Sequence, residues 1–155
     1  MKLAKKGSGV ASITPSEMVD GCLVHGWIDG LINGLDERFY LVRCTPRRPK
    51  GKWSAINVER VEALIAVGRM APAGIDEVER AKADGRWAAA YPPASRMTVP
   101  DDLQAALDAD PAAAAAWAAL NAAGRYSVLY RLHDTRSLDA RARKIKDAVA
   151  KLLAS

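Results

Sequence analysis

At 155 residues, half of them apolar and about a quarter charged, the chain is long enough to bury roughly 70% of the surface its unfolded form exposes, and its composition excludes wholesale disorder. Two cysteines, Cys22 and Cys44, are too few and too far apart for a disulfide framework or a zinc cassette. No apolar run has the length of a signal-peptide core or a bilayer span, so the expectation is a cytoplasmic protein with reduced thiols, and its net charge of +5 points to anionic partners.

The opening MKLAKKGSG returns to lysine within a few residues. Ser12, Thr14 or Ser16 can cap a first helix that runs to about His25, with Met18, Cys22 and Val24 or His25 turned inward and Gly26 as its stop. In WIDGLINGLDERFYLVRC, Asn33-Gly34 sits between two apolar-rich segments, the signal of a two-residue hairpin turn. That turn would oppose Ile32 to Leu35, Asp29 to Arg38 and Trp27 to Tyr40, with Ile28, Ile32, Leu35, Phe39 and Leu41 on one face and a polar, aromatic set on the other. Pro46 and Pro49 then force a loop. Ser54 caps the next helix, with Trp53 and Val58 spaced as a hydrophobic staple and Val61, Leu64 and Ile65 as the buried stripe up to Gly68.

A further helix opens at Pro72, uses Ile75 and Val78, and ends at Gly85. After the connector YPPASRMTVP, Pro100 and Asp110-Pro111 open two short alanine-rich helices, the second burying Trp117 and Leu120 and stopping near Gly124. RYSVLYRLH fits both strand and helix periods, and helix is the reading adopted. The last helix is capped by Thr135 or Ser137 and repeats Leu138, Ala142, Ile145, Val149 and Leu152 on one side, with a basic exposed face. The elements add up to an α+β fold: a small antiparallel sheet, made of an N-terminal strand plus the hairpin, packed with a mainly helical C-terminal two-thirds. A single domain over 1–155 is the expected organisation, α+β over about 1–88 and helical over about 98–155.

The charge is segregated. Residues 38–60 carry seven basic and one acidic residue, residues 125–151 eight and three, and residues 71–110 between them four and eight. Several words in fixed order, GWIDG (26–30), TPRRPK followed by WS and Asn57 (45–57), GRMAPAG (68–74), AKADGRW (81–87) and TRSLDARARKI (135–145), resemble the bacterial YdeI/OmpD-associated family of bacteriocin-protection proteins over nearly the whole chain. The resemblance implies a small α+β domain connected with tolerance of bacteriocins or cationic peptides. That family has no agreed catalytic residues, so none is carried over. The chain departs from the family pattern by starting inside its first strand, which leaves MKLAKK as an edge strand without its usual cover. It also has Gly51 where a serine is common and Cys44 where an aromatic is common; the glycine makes the loop more flexible and removes a hydroxyl donor.

The functional hypothesis rests on the cationic loop. Arg47, Arg48, Lys50 and Lys52 lie directly upstream of the Ser54 helix, where side-chain charge and first-turn N–H groups can converge on one anion. The candidate anion site is Arg47, Arg48, Lys50, Ser54 and Asn57, with Trp27, Asp29 and Trp53 as pocket wall; arginine supplies the planar fork that grips phosphate or carboxylate. The competing reading is a solvated surface whose arginines pair with Asp29, Asp36 or the acidic middle segment, since a surface charge at a helix end contributes only ~0.3–1 kcal/mol. Cys22 and His25, three apart on one helix, with Cys44 as a remote third donor, read as a buried thiol and a helix-end imidazole, not a metal site. No serine or cysteine stands with a recognisable base, and no cofactor is implied.

The chain is therefore read as a non-enzymatic accessory or stress-tolerance protein that binds an anionic small molecule or acidic protein partner. The alternatives are a small enzyme acting on a phosphorylated or carboxylated metabolite, or a weak nucleic-acid-associated protein. The five cations of residues 43–57 on phosphates would give a salt slope of roughly −4.5, but no motif for specific nucleic-acid readout is present. The basic terminal helix, with Arg136, Arg141, Arg143, Lys144 and Lys146, reads as a solvated amphipathic helix or as a peripheral contact with an anionic membrane.

Overall fold

A computed structural model describes residues 1–135 and 137–154. The described residues form a three-stranded antiparallel sheet and seven α-helices, with only helices after residue 46, so the α+β class expected from the sequence holds. The chain divides into two compact units, Met1–Ala90 and Tyr91–Ser155. Among the described residues, no helix is long and apolar enough to cross a membrane.

In the first unit, β1 (Lys2–Ala4) pairs with β3 (Phe39–Pro46), which pairs on its other side with β2 (Trp27–Gly34), giving the order β1-β3-β2. MKLAKK thus does supply an edge strand. The hairpin differs from its expected form. Its loop is residues 35–38, and the register sets Trp27 against Pro46, Asp29 against Cys44 and Ile32 against Val42, with an irregularity between Asp29 and Ile32. Neither Asn33 nor Gly34 has positive φ, so the two-residue turn does not form. Asp36 decides the matter: its Oδ1 accepts from the Arg38 and Phe39 amides, each at 2.8 Å, an Asx-type anchor that competes with the Asn-Gly signal.

Helix α1 (Pro15–Val24) starts with a capping box in which Thr14 Oγ1 accepts from the Glu17 amide at 3.1 Å and Glu17 Oε2 accepts from the Thr14 amide at 2.7 Å. It stops at Gly26, which takes φ 72°. Met18 and Cys22 face the sheet and form a small core with Leu3 and Val42. Helices α2 (Ala55–Ala66) and α3 (Pro72–Ala83) complete a second core in which Leu23, Trp53, Val61, Leu64, Val78 and Ala81 are buried. Ile65, expected in that stripe, is instead 39% exposed.

The second unit holds α4 (Asp101–Asp108), α5 (Pro111–Ala119), α6 (Ala122–His133) and α7 (Leu138–Leu153) around Leu103, Leu107, Ala113, Leu129, Leu132, Ile145 and Leu152. RYSVLYRLH is helical, as read. Gly124 is not a stop: α5 ends at Ala119, and Asn121 caps α6 by accepting from the Gly124 amide at 2.8 Å. Leu138 is 83% exposed; as the first residue of α7 it precedes the stripe it was assigned to. Arg141 of α7 donates to Asp102 of α4 and, at 2.7 Å, to the Leu132 carbonyl of α6, tying three helices together. Lys144 donates to Thr135 Oγ1 at 2.8 Å, whereas Arg136 lies outside the described residues.

Two tests follow from these contacts. The α3 N-terminus approaches α1 so closely that the Ala71 amide donates to the Val24 carbonyl at 3.1 Å, and a Cβ at Gly74 would stand 2.2 Å from that oxygen. Gly74→Ala should therefore cost about 2–4 kcal/mol in urea unfolding, an overpacking effect against backbone that cannot swing aside. In the other unit, the hydrogen bond from Arg141 holds the Asp102 carboxyl below its ordinary range. A depressed carboxylate pKa stabilises above its unfolded value, and that contribution is lost as pH falls through the folded one. Asp102→Asn should accordingly lower stability at neutral pH and shrink its acid-induced loss, as followed by circular dichroism from pH 7 downward.

Candidate functional site

The loop at residues 47–54 is built on a buried indole. Trp53 is 1% exposed, sits in the core beside Leu23, Val61 and Val78, and tilts at 58° to Trp87 with ring centroids 4.9 Å apart. Above it lies Arg47, also buried, its Cζ 3.6 Å from the Trp53 ring centroid. The Arg47 amide donates to the Gly26 carbonyl at 3.1 Å, and its Nη1 donates to the Lys52 carbonyl at 3.1 Å. A desolvated guanidinium on an indole face contributes about 2 kcal/mol, more than a surface charge at a helix end.

Residues 48–51 make the turn. The Gly51 amide donates to the Arg48 carbonyl at 2.8 Å, which puts Pro49 and Gly51 at the two positions where a turn of this kind favours them. The Gly51 carbonyl accepts from Arg86 Nη1 at 3.0 Å. With both backbone groups engaged, Gly51 is held despite its lack of a side chain, contrary to the looseness expected of it. Arg86 is itself anchored by Glu77 at 3.0 Å and by Asp84 at 2.7 Å. Burial works against the Arg86 charge, but its bonds to Asp84 and Glu77 hold the guanidinium above its ordinary pKa. Glu77, 2% exposed, also pairs with Arg80 at 3.0 Å.

On this backing the site residues divide. Arg48 and Lys50 project from the turn as exposed side chains, and among the described residues neither has an ion-pair partner. Ser54 caps α2, its Oγ accepting from the Asn57 amide at 3.2 Å, and the first turn of α2 has no acidic residue. Arg47 and Trp53 lie beneath the loop as its support, not on its surface. Trp27 and Asp29 belong elsewhere: Trp27 lines a cavity of about 510 Å³ with Met18, Cys22 and Cys44, and Asp29 pairs in register with Cys44. Sequence reasoning missed Arg86 and Glu77, which lie 35 and 26 residues beyond Gly51. Arg86 stands in the word AKADGRW, whereas Glu77 falls in none of the quoted words. The stack gives a direct test. Arg47→Lys keeps the charge but removes the plane, and should cost about 1–3 kcal/mol in urea unfolding, while Arg48→Lys, exposed, should stay within about 0.5 kcal/mol.

Comparison with known proteins divides the chain in two. Residues 1–77 match a domain of unknown function (DUF8412), and residues 96–155 match the family described as bacteriocin-protection, YdeI or OmpD-associated. No curated protein and no solved structure matches the chain. Of the words that suggested the resemblance, TRSLDARARKI lies within the second match, while GWIDG, TPRRPK and GRMAPAG lie within the first. The likeness to the bacteriocin-protection, YdeI or OmpD-associated family, read over nearly the whole chain from the sequence, is thus matched over residues 96–155.

Proposed function

We propose that this is a non-enzymatic, cytoplasmic accessory protein of the bacteriocin-protection type, which binds an anionic small molecule or the anionic group of a partner on Arg48, Lys50 and the N-terminal end of α2. The family match over residues 96–155 supports the biological setting. The observation that carries the binding reading is the pair of exposed cations beside a helix start whose first turn has no carboxylate. Helix N-termini favour negative charge, so cations placed there oppose the helix dipole by a few tenths of a kcal/mol each until an anion joins them. Ser54 and Asn57 position the start of α2, and Arg47 holds the loop in place through Trp53.

The test is a thermal-shift and calorimetric screen of inorganic phosphate, sulfate, carboxylated metabolites and a mixed oligonucleotide, at low and high salt. Wild type should bind at least one anion, with saturable stabilisation that fades at high salt. The Arg48→Ala, Lys50→Ala double variant should bind about tenfold to a hundredfold more weakly, the loss of one or two charge-assisted hydrogen bonds. A wild-type protein indifferent to every anion overturns the reading, as does a double variant that binds unchanged.

A further inference from the structure

The first unit contains a second group of side chains that the anion reading does not use. Met18 and Cys22 are one turn apart on the inner face of α1, and Cys44 reaches them from β3. The Met18 thioether stands 3.7 Å from the Cys44 sulfur and 3.9 Å from the Cys22 sulfur. Both thiols are free. The sulfurs border the cavity of about 510 Å³, whose other walls include Ile13, Trp27 and His25.

We infer that Met18, Cys22 and Cys44 form a binding site for a soft monovalent metal ion, of which copper(I) is the type. The spacing is the argument. A trigonal centre with metal–sulfur bonds of about 2.3 Å places its sulfurs about 4.0 Å apart, and the two edges fixed here are 3.7 and 3.9 Å. Two thiols and a thioether are the soft donor set that selects copper(I) over oxygen-seeking cations. Among the described residues no three His, Cys, Asp or Glu side chains are grouped to hold a metal, so the four-donor arrangement of structural zinc is absent from this cluster. Ligation by both thiols releases two protons to solvent and brings in one positive charge, so the filled centre carries a net charge of −1.

The same surroundings disfavour a redox role for the pair. Burial first, then the hydrogen bond and charge of Cys44, push the Cys22 thiol up to about 12, so at neutral pH it is a poor nucleophile for disulfide formation. A soft cation offsets the cost that keeps the proton on.

The experiment uses the whole reduced chain under anaerobic conditions, titrated with copper(I) against a chromophoric copper(I) chelator, with silver(I) as the redox-inert check. Wild type should retain one ion per chain and show a thiolate-to-metal charge-transfer band. Cys44→Ser, at a half-buried position, should lose the ion. Met18→Leu, which conserves volume while removing the thioether, should bind at least tenfold more weakly with its circular dichroism unchanged. Failure of folded, reduced wild type to hold the ion overturns the site, as does unchanged binding by either variant. A protein that only forms a Cys22–Cys44 disulfide in air and takes no ion when reduced also overturns it, and identifies a redox pair.

Discussion

The stack of Arg47 on Trp53 is the contact on which the candidate loop depends. An indole buried in the α2–α3 core removes on the order of 200 Å² from water, worth about 5 kcal/mol before entropy is counted. By placing its guanidinium on that face, Arg47 converts one of the loop's four cations into part of the core lid. Its Nη1 reaches the Lys52 carbonyl, so the residues flanking the turn at its two ends are joined by the side chain of the one that precedes it. The turn then has little freedom to collapse onto the surface, and Arg48 and Lys50 are carried outward by a backbone fixed at both ends.

Glu77 and Arg86 hold the same loop from the other side. A nearly buried carboxylate costs several kcal/mol in desolvation unless it is well paired, and here both of its oxygens are engaged, one by Arg86 and one by Arg80. Arg86 passes the constraint on to the Gly51 carbonyl. Arg80 and Arg86, from the acidic middle of the chain, are therefore structural cations, while Arg48 and Lys50 of the basic stretch are not. Net charge by segment does not distinguish these roles; burial and partners do.

Much of this architecture was legible in the sequence. Thr14, Ser54 and Ser137 are caps because short side-chain oxygens compete for backbone amides wherever they precede an apolar period. The α+β class, the edge strand and the helical reading of RYSVLYRLH follow from the same local rules. The hairpin register was not legible, because Asn33-Gly34 and Asp36 offer two turns within four residues and only the pairing of whole strands chooses between them. At the candidate site, Ser54 was readable from its position, and so were Arg48 and Lys50 as exposed loop cations. The inward turn of Arg47 was not, since nothing local separates an arginine that stacks on a core indole from its neighbour that meets water. Glu77, Arg86 and the meeting of Cys44 with Met18 are long-range contacts that no spacing rule encodes.

The two clusters in the first unit follow opposite electrostatic logic. At the loop, charge is exposed and the partner it suits is one that remains largely hydrated, so any affinity would come from convergence of several weak terms and would fall with salt. At the sulfur triad, charge is suppressed: Cys22 is 6% exposed and Met18 4%, and burial keeps the proton on the Cys22 thiol until a cation enters. Such a site gains its selectivity from what it cannot offer, namely oxygen donors and water, so its affinity would be insensitive to salt. Both lie on elements that meet near Gly26, where the α1 stop leads into β2 and accepts the Arg47 amide. The αL conformation of this one glycine thus sets the direction of the strand that bears Trp27 and anchors the residue that starts the loop. A side chain there would strain the backbone and press on the Ala73 carbonyl at 3.0 Å, disturbing the support of both clusters at once.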